Sequence, residues 1–279
     1  LALRYDSRVV KDIGAEDAMQ AKPTLEDTLS LMRDLRRRCE WDAAQTHESL
    51  RPYLIEEAYE VDDAIRSGND RLLREELGDL LLQVLFHSVV AEERGAFDFH
   101  DVADTFITKM KGRHPHLYGD GARQPWERMK ARKRESIVDG LPADLPSLHR
   151  AFRLQDRAAG VGFDWPDVQG PIEKVREETE EVCEEVAAHP DLATRSSTPR
   201  YDEHHDRLED ELGDLLFAVV NLCRKAGVHP ALALDRANVK FARRFRRVEE
   251  LAGERGLKVG SATLEDLDRL WDEVKAAET

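Results

Sequence analysis

Cysteine is scarce in this chain: Cys39, Cys183 and Cys223 are its only three, and none makes a CxxC or a Cys/His metal spacing. A disulfide-stapled scaffold is therefore excluded, a reducing cytoplasm suits the odd count, and each thiol is expected as a small core residue. Long hydrophobic runs are also lacking. The longest worth testing, Leu80 to Ala91, contains Gln83, His87 and Ser88 and is too short to span a bilayer. Residues Leu1 to Lys22 mix Arg4, Asp6, Arg8, Lys11, Asp12, Glu16 and Asp17 into their apolar positions and lack the uncharged core of a signal peptide. Basic charge is in deficit, with 42 Lys and Arg against 57 Asp and Glu and a net charge of −15. Such a balance disfavours a protein that grips nucleic acid, so no stable nucleic-acid binding is expected. Nor is there a GxxxxGK[ST] loop, which excludes a P-loop enzyme. The expected protein is soluble, cytoplasmic and without membrane contact.

What is present is helical periodicity. Leu72, Leu73, Leu77, Leu80, Leu81, Val84, Leu85, Val89 and Val90 recur at three- and four-residue intervals, closed by Gly95. Thr24-Leu-Glu-Asp27 and Thr263-Leu-Glu-Asp266 resemble N-terminal caps. The pattern predicts helices at about 24–38, 46–67, 70–94, 99–112, 124–138, 146–159, 170–188, 204–226, 230–255 and 263–276, and no run reads as a convincing sheet. At 279 residues and 41% hydrophobic content there is room for about two domains with sizeable cores. Prolines 142 and 146 with Gly140 mark a boundary, so the expected division is an extension over 1–23, a helical domain over 24–138, a linker over 139–146 and a second helical domain over 147–279. A polar stretch near 189–202, with Pro190 and Pro199, reads as an insertion in the second domain.

The most informative feature is a repeat. Glu75-Glu76-Leu77-Gly78-Asp79-Leu80-Leu81 returns as Asp210-Glu211-Leu212-Gly213-Asp214-Leu215-Leu216. Each copy follows an acidic helix, Glu56-Glu57-Ala58-Tyr59-Glu60 and Glu177-Glu178-Thr179-Glu180-Glu181. An α-helix puts positions i and i+3 on one face, so Glu57/Glu60 and Glu76/Asp79 each present two carboxylates sideways. Four convergent carboxylates in an apolar bundle need a compensating cation, and oxygen-only ligation selects a hard ion such as Mg²⁺. Fifteen residues separate Glu60 from Glu76 and 29 separate Glu181 from Glu211, which sizes the insertion; placed at a hairpin tip it leaves the acidic face intact.

Residues not used to find the repeat extend it. Lys109-Met-Lys-Gly-Arg113 matches Lys240-Phe-Ala-Arg-Arg244 as Lys-x-x-x-Arg, and Trp126-Glu-Arg-Met-Lys130 matches Trp271-Asp-Glu-Val-Lys275 as Trp-x-x-x-Lys. Each pair shares one helical face. Carboxylates that hold Mg²⁺, bases that neutralise phosphate and an indole that stacks on a base together fit a nucleoside triphosphate. The same parts have blander readings. A lone ExxE is ordinarily a solvated helix face, the run Lys240, Arg243, Arg244, Arg246 and Arg247 would alone be another, and the tryptophans serve equally as core anchors. Their shared order in both halves favours the functional reading. Gly78 and Gly213 each cost a helix about 1 kcal/mol relative to Ala and suggest close approach of another helix. His114 and His116, beside Pro115, read as a structural turn.

The helical ExxE…ExxD arrangement, the ELGDLL segments and the tandem duplication resemble the MazG family of nucleoside triphosphate pyrophosphohydrolases, from about Thr24 to Lys275. Further points of likeness are Cys39-Glu-Trp41-Asp42, His114-Pro-His116, Val161-Gly-Phe-Asp-Trp165 and Asn238-Val-Lys-Phe-Ala-Arg-Arg-Phe245. The resemblance implies an all-α protein of tandem duplicated modules, each like a four-helix bundle and completed by a homodimer. It implies Mg²⁺-dependent cleavage of a nucleoside triphosphate to the monophosphate and pyrophosphate, with Mn²⁺ able to substitute. By matching positions, Glu178, Glu181, Glu211 and Asp214 would ligate metal in the second half, and Glu57, Glu60, Glu76 and Asp79 in the first. Asn238, Lys240, Arg243, Arg244, Trp271 and Lys275 would hold the nucleotide, with Lys109, Arg113, Trp126 and Lys130 as first-half counterparts. Glu178 or the adjacent Glu177 would orient or deprotonate the attacking water, and Lys240 and Arg244 would stabilise the departing pyrophosphate. Ile107 stands where the second half has Asn238, so the second half is expected to carry the activity. Two other classes compete: a non-catalytic nucleotide-binding adaptor or sensor, and a di-iron carboxylate bundle. The latter needs Glu-x-x-His, and no glutamate here has a histidine three residues later.

Overall fold

The computed structural model describes residues 22–121, 136–188 and 203–278. Among the described residues there are eleven α-helices, one 3₁₀ turn at Val259–Ser261 and no strand. In chain order the helices are α1 (Leu25–Arg38), α2 (Glu40–Ala44), α3 (His47–Ser67), α4 (Asp70–Glu93), α5 (Phe99–Arg113), α6 (Pro115–Tyr118), α7 (Ser147–Gly160), α8 (Gln169–Ala188), α9 (Glu203–Lys225), α10 (Pro230–Glu254) and α11 (Leu264–Ala276). The architecture is all-α, as the periodicity predicts. The helix expected over 124–138 falls largely outside the described residues, although Ser136 to Val138 are bend and turn. Two short helices, α2 and α6, are additions to the sequence prediction, since four or five residues are too few to show a period. The insertion near 189–202 and residues 1–21 lie outside the described residues. No described helix is long and apolar enough to cross a membrane.

The chain divides into two compact units, Leu1–Gly121 and Ala122–Thr279. In the first, local chemistry sets the helix ends. Thr24 and Asp27 form a reciprocal capping box on α1, as do Thr46 and Ser49 on α3. The α3–α4 hairpin turns at Gly68, whose φ of 65° is the left-handed conformation that glycine adopts without strain, and Asn69 then caps α4. Leu29 and Met32 of α1 pack with Leu50 of α3 and with Leu85, Phe86, Val89 and Val90 of α4 to form the core. That core sits under the C-terminal half of α4, where Arg33 bonds Glu92 at 3.0 Å and Arg36 pairs with Glu93. The N-terminal half of α4, which carries the acidic repeat, has no buried residue before Gln83.

In the second unit α8 packs on α9, α7 packs against α9 and α10, and α11 packs on α10. Val248, Leu251, Ala252, Leu270 and Val274 form the α10–α11 core. Buried polar groups fasten α7: Gln155 donates to the Phe217 carbonyl at 2.7 Å, and Arg157 donates to the carbonyls of Ile137 and Asp139 at 3.0 and 2.7 Å. Asp164 anchors the following loop to α9 through Arg224 and Lys225, and the Trp165 indole lies so close to Gly170 that an added Cβ would fall 2.1 Å from its Cδ1. Cysteine placement departs from expectation: Cys183 is exposed and Cys39 and Cys223 are half-buried, because their positions on α8, α1–α2 and α9 face away from the packed stripes.

One contact in the first unit makes its stability sensitive to acid. His47 and His87 stack at 5.1 Å with their Nδ1 atoms 2.8 Å apart, so one ring donates and the other must stay an unprotonated acceptor. Burial, then the neighbouring His47, hold the His87 imidazole below its ordinary 6.5. A lowered imidazole value means that the folded state resists the proton; its contribution is intact above about pH 6.5 and is lost as pH falls. Amide exchange of α3 and α4, corrected for intrinsic rates, should therefore accelerate between about pH 7.5 and pH 5.5, and a His87→Leu variant should lose this dependence. An identical pH response in both proteins would contradict the assignment.

Candidate active site

Each unit brings three carboxylates together between two helices. Glu57 of α3 meets Glu76 and Asp79 of α4, and Glu178 and Glu181 of α8 meet Glu211 of α9, with one oxygen from each residue within 4.8 Å of the others in its group. The i,i+3 spacing produces this directly, since two turns on one helix face two turns on its partner. Of the eight predicted ligands, Glu60 and Asp214 lie outside these trios. Glu60 is exposed and hydrogen-bonds Glu57, and Asp214, with its shorter side chain, is exposed on α9.

The two trios resolve their repulsion differently. Glu178 is the buried member of the second, 4% exposed, and its Oε1 lies 2.5 Å from the Lys174 ammonium one helical turn earlier. That hydrogen bond holds the Glu178 carboxyl below its usual range, while Glu181, beside Glu178, is raised. Lys174 also reaches Glu177 at 2.8 Å, and the two carboxylates hold its ammonium firmly protonated. Among the described residues the first trio shows no such cation, and Tyr53 occupies the position one turn before Glu57. Burial, reinforced by Asp79, Glu60 and Glu76, pushes the Glu57 carboxyl up to about 7. Glu76 and Asp79 are raised as well, each mainly by burial. Lys174 is the residue that sequence reasoning missed; the available signal was its i−4 spacing from Glu178, and a lysine on a charged helix carries little weight alone.

The predicted nucleotide-binding set forms a separate cluster. Arg243 donates to Glu278 at 2.7 Å and Arg244 donates to the same carboxylate at 2.7 and 2.8 Å. The Arg244 guanidinium lies 5.9 Å from the centre of the Trp271 ring, which is half-buried against Phe241 and the α10–α11 core. Trp271 thus serves as a core anchor on one side and a cation–π platform on the other. Lys275 pairs with Asp272 at 2.7 Å, and Asn238 and Lys240 are exposed on α10. In the first unit Lys109 is exposed and Arg113 half-buried on α5, which packs on α4, and Ile107 is exposed. Trp126 and Lys130 lie outside the described residues. Neither basic set is among the groups that shift the ionisation of the trios.

The repeated acidic helix pair falls within the part of the chain that a known family matches. The sequence model of the MazG nucleotide pyrophosphohydrolase domain matches twice, over residues 45–118 and 169–249, each match containing one trio. A nucleoside triphosphate pyrophosphohydrolase/pyrophosphatase MazG of Thermotoga maritima is 43% identical over 262 residues, spanning 91% of this chain and 96% of the relative. A nucleoside triphosphate pyrophosphohydrolase of Escherichia coli (strain K12) is 41% identical over 260 residues, or 88% of this chain and 94% of its own length. The uncharacterized protein YabN of Bacillus subtilis is 41% identical over 262 residues, 89% of this chain but 51% of its own. Two domain matches that follow the internal repeat, with relatives alike from end to end, make this chain a member of the MazG nucleotide pyrophosphohydrolase family.

Proposed function

We propose that the protein hydrolyses nucleoside triphosphates to nucleoside monophosphate and pyrophosphate in a divalent-metal-dependent reaction centred on the α8–α9 carboxylates. The observation that carries this reading is the convergence of Glu178, Glu181 and Glu211 beside Lys174 in a chain whose full-length relatives bear that activity in their names. The donor set fits a hard cation. It is all oxygen, Glu178 raises its neighbour Glu181 in the second trio, and in the first trio Glu57 Oε2 is buried without a hydrogen-bond partner among the described residues. Glu178, Glu181, Glu211 and Asp214 would hold Mg²⁺, or Mn²⁺ in its place; Glu57, Glu60, Glu76 and Asp79 would hold it in the first unit. When bound, the ion supplies charge neutralisation to the triphosphate and activates water toward phosphorus.

The protein's own groups do the rest. Lys174 holds Glu178 ionised and in place to ligate, and its contact with Glu177 sets that carboxylate at the exposed edge, where it would orient the attacking water and take its proton. Arg244 and Lys240 neutralise charge on the departing pyrophosphate, Asn238, Arg243 and Lys275 position the nucleotide, and the exposed side of Trp271 offers a stacking surface. The helices that carry the trios also expose large apolar side chains, including Tyr59 (62% exposed) and Leu77 (49%) in one unit and Leu216 (59%) and Phe217 (44%) in the other. A second copy of the chain covering these faces would complete each half-built bundle and bury the carboxylates further, so the working form is a homodimer.

Two outcomes test this reading. Wild-type protein with Mg²⁺ should convert a nucleoside triphosphate to monophosphate and pyrophosphate, with EDTA abolishing release. Glu178→Ala should slow turnover by about 10²-fold or more, the scale of removing transition-state charge stabilisation, while Glu57→Ala keeps most of it; equal losses would contradict the division between the units. The second outcome concerns the metal-free state. A carboxyl raised from 4.5 to about 7 favours folding below pH 4.5 and costs stability as pH rises through 7. Metal-free Glu57→Gln should therefore be more stable than wild type at about pH 8, by about 1–2 kcal/mol after solvent screening, and Mg²⁺ should stabilise the wild type more than the variant. A variant less stable than wild type in EDTA would refute the crowding.

A further inference from the structure

Outside the carboxylate trios, described residues of the second unit line a groove of about 330 Å³ between α10 and α11. Arg243, Arg244 and Arg247 form one wall, Leu251 and Val274 contribute apolar surface, and Glu278 closes the mouth. The other acid of the groove, Glu273, is already paired with Arg255 at 2.7 Å. Glu278 is therefore the anion that meets Arg243 and Arg244, and it takes three donors from them between 2.7 and 2.8 Å. A guanidinium fork of this kind suits a phosphate as well as a carboxylate.

We infer that Glu278 is an internal competitor that occupies the arginine fork in the ligand-free protein and is displaced by the phosphate chain of an incoming nucleotide. Three features favour displacement. Glu278 lies just past the end of α11, where the negative end of the helix dipole opposes a carboxylate, and among the described residues Arg243 and Arg244 are the cations that hold its side chain there. Its side chain is 29% exposed and that of Arg243 is 67% exposed, so the pair is screened and weak. Arg244, by contrast, is 21% exposed and its guanidinium lies over the Trp271 ring, so it stays in place when its partner leaves. Exchange of one carboxylate for a phosphate conserves the bidentate contacts and gains charge.

The inference rests on the nucleotide reading above for its substrate, and the test separates the two. Inorganic tripolyphosphate, titrated calorimetrically without divalent metal, should bind Glu278→Gln about threefold more tightly than wild type, the factor appropriate to losing an exposed ion pair. KM for the Mg²⁺–nucleoside triphosphate should fall by a similar factor. Placing Arg244→Gln in the same background should remove the gain, and high salt should shrink it. Unchanged or weaker tripolyphosphate binding in Glu278→Gln would overturn the competition even if the wild type turns over normally. Tighter tripolyphosphate binding in a protein that hydrolyses no nucleotide would uphold the competition and refute the substrate reading instead.

Discussion

Crowding of carboxylates between paired helices is the constraint on which the rest of this structure depends. Three acids whose oxygens lie within 4.8 Å of one another cannot all stay ionised in a partly buried cleft without a counter-charge. The chain meets this twice and answers differently. In the second unit the Lys174 ammonium holds Glu178 below its usual range, and Glu181 beside it is raised. In the first, where Tyr53 stands in the lysine's place, the Glu57 carboxyl is pushed up to about 7. Both solutions leave a gap that a hard cation fills better than a proton does, because a dication can satisfy several oxygens at once.

The remainder of the fold is organised so that this cleft is not sealed within one unit. Apolar packing is concentrated away from the acids, under the C-terminal half of α4 and between α10 and α11. The acidic halves of α3, α4 and α9 instead keep apolar side chains such as Tyr59, Leu77 and Leu216 toward solvent. Burying the acids further without a counter-charge would raise the cost of folding, and an open cleft keeps them in contact with water.

Much of this was legible in the amino acids. The helix ends followed from local chemistry, as with Thr24 and Asp27, whose reciprocal cap forms as the spacing predicts. The trios followed from i,i+3 geometry, and the repeat in sequence is a repeat in structure. What stayed hidden depends on how distant segments meet. Lys174 acts through the burial of Glu178, which no local pattern reveals. Glu278 reaches Arg244 across 34 residues because α11 folds back on α10. The helix α2 is too short to carry a period, and its position is fixed by Arg36 donating to the carbonyls of Asp42 and Gln45. Glu60 and Asp214 show the converse limit: their spacing is right, yet they stand outside the trios.

If each trio is a cation site, the number of Mn²⁺ ions bound, counted by electron paramagnetic resonance in wild type, Glu57→Gln, Glu178→Gln and the double variant, should fall with each substitution. Each single variant should lose a different subset of the wild-type ions, and the double variant should retain none of them. Equal Mn²⁺ binding by all four proteins would contradict it.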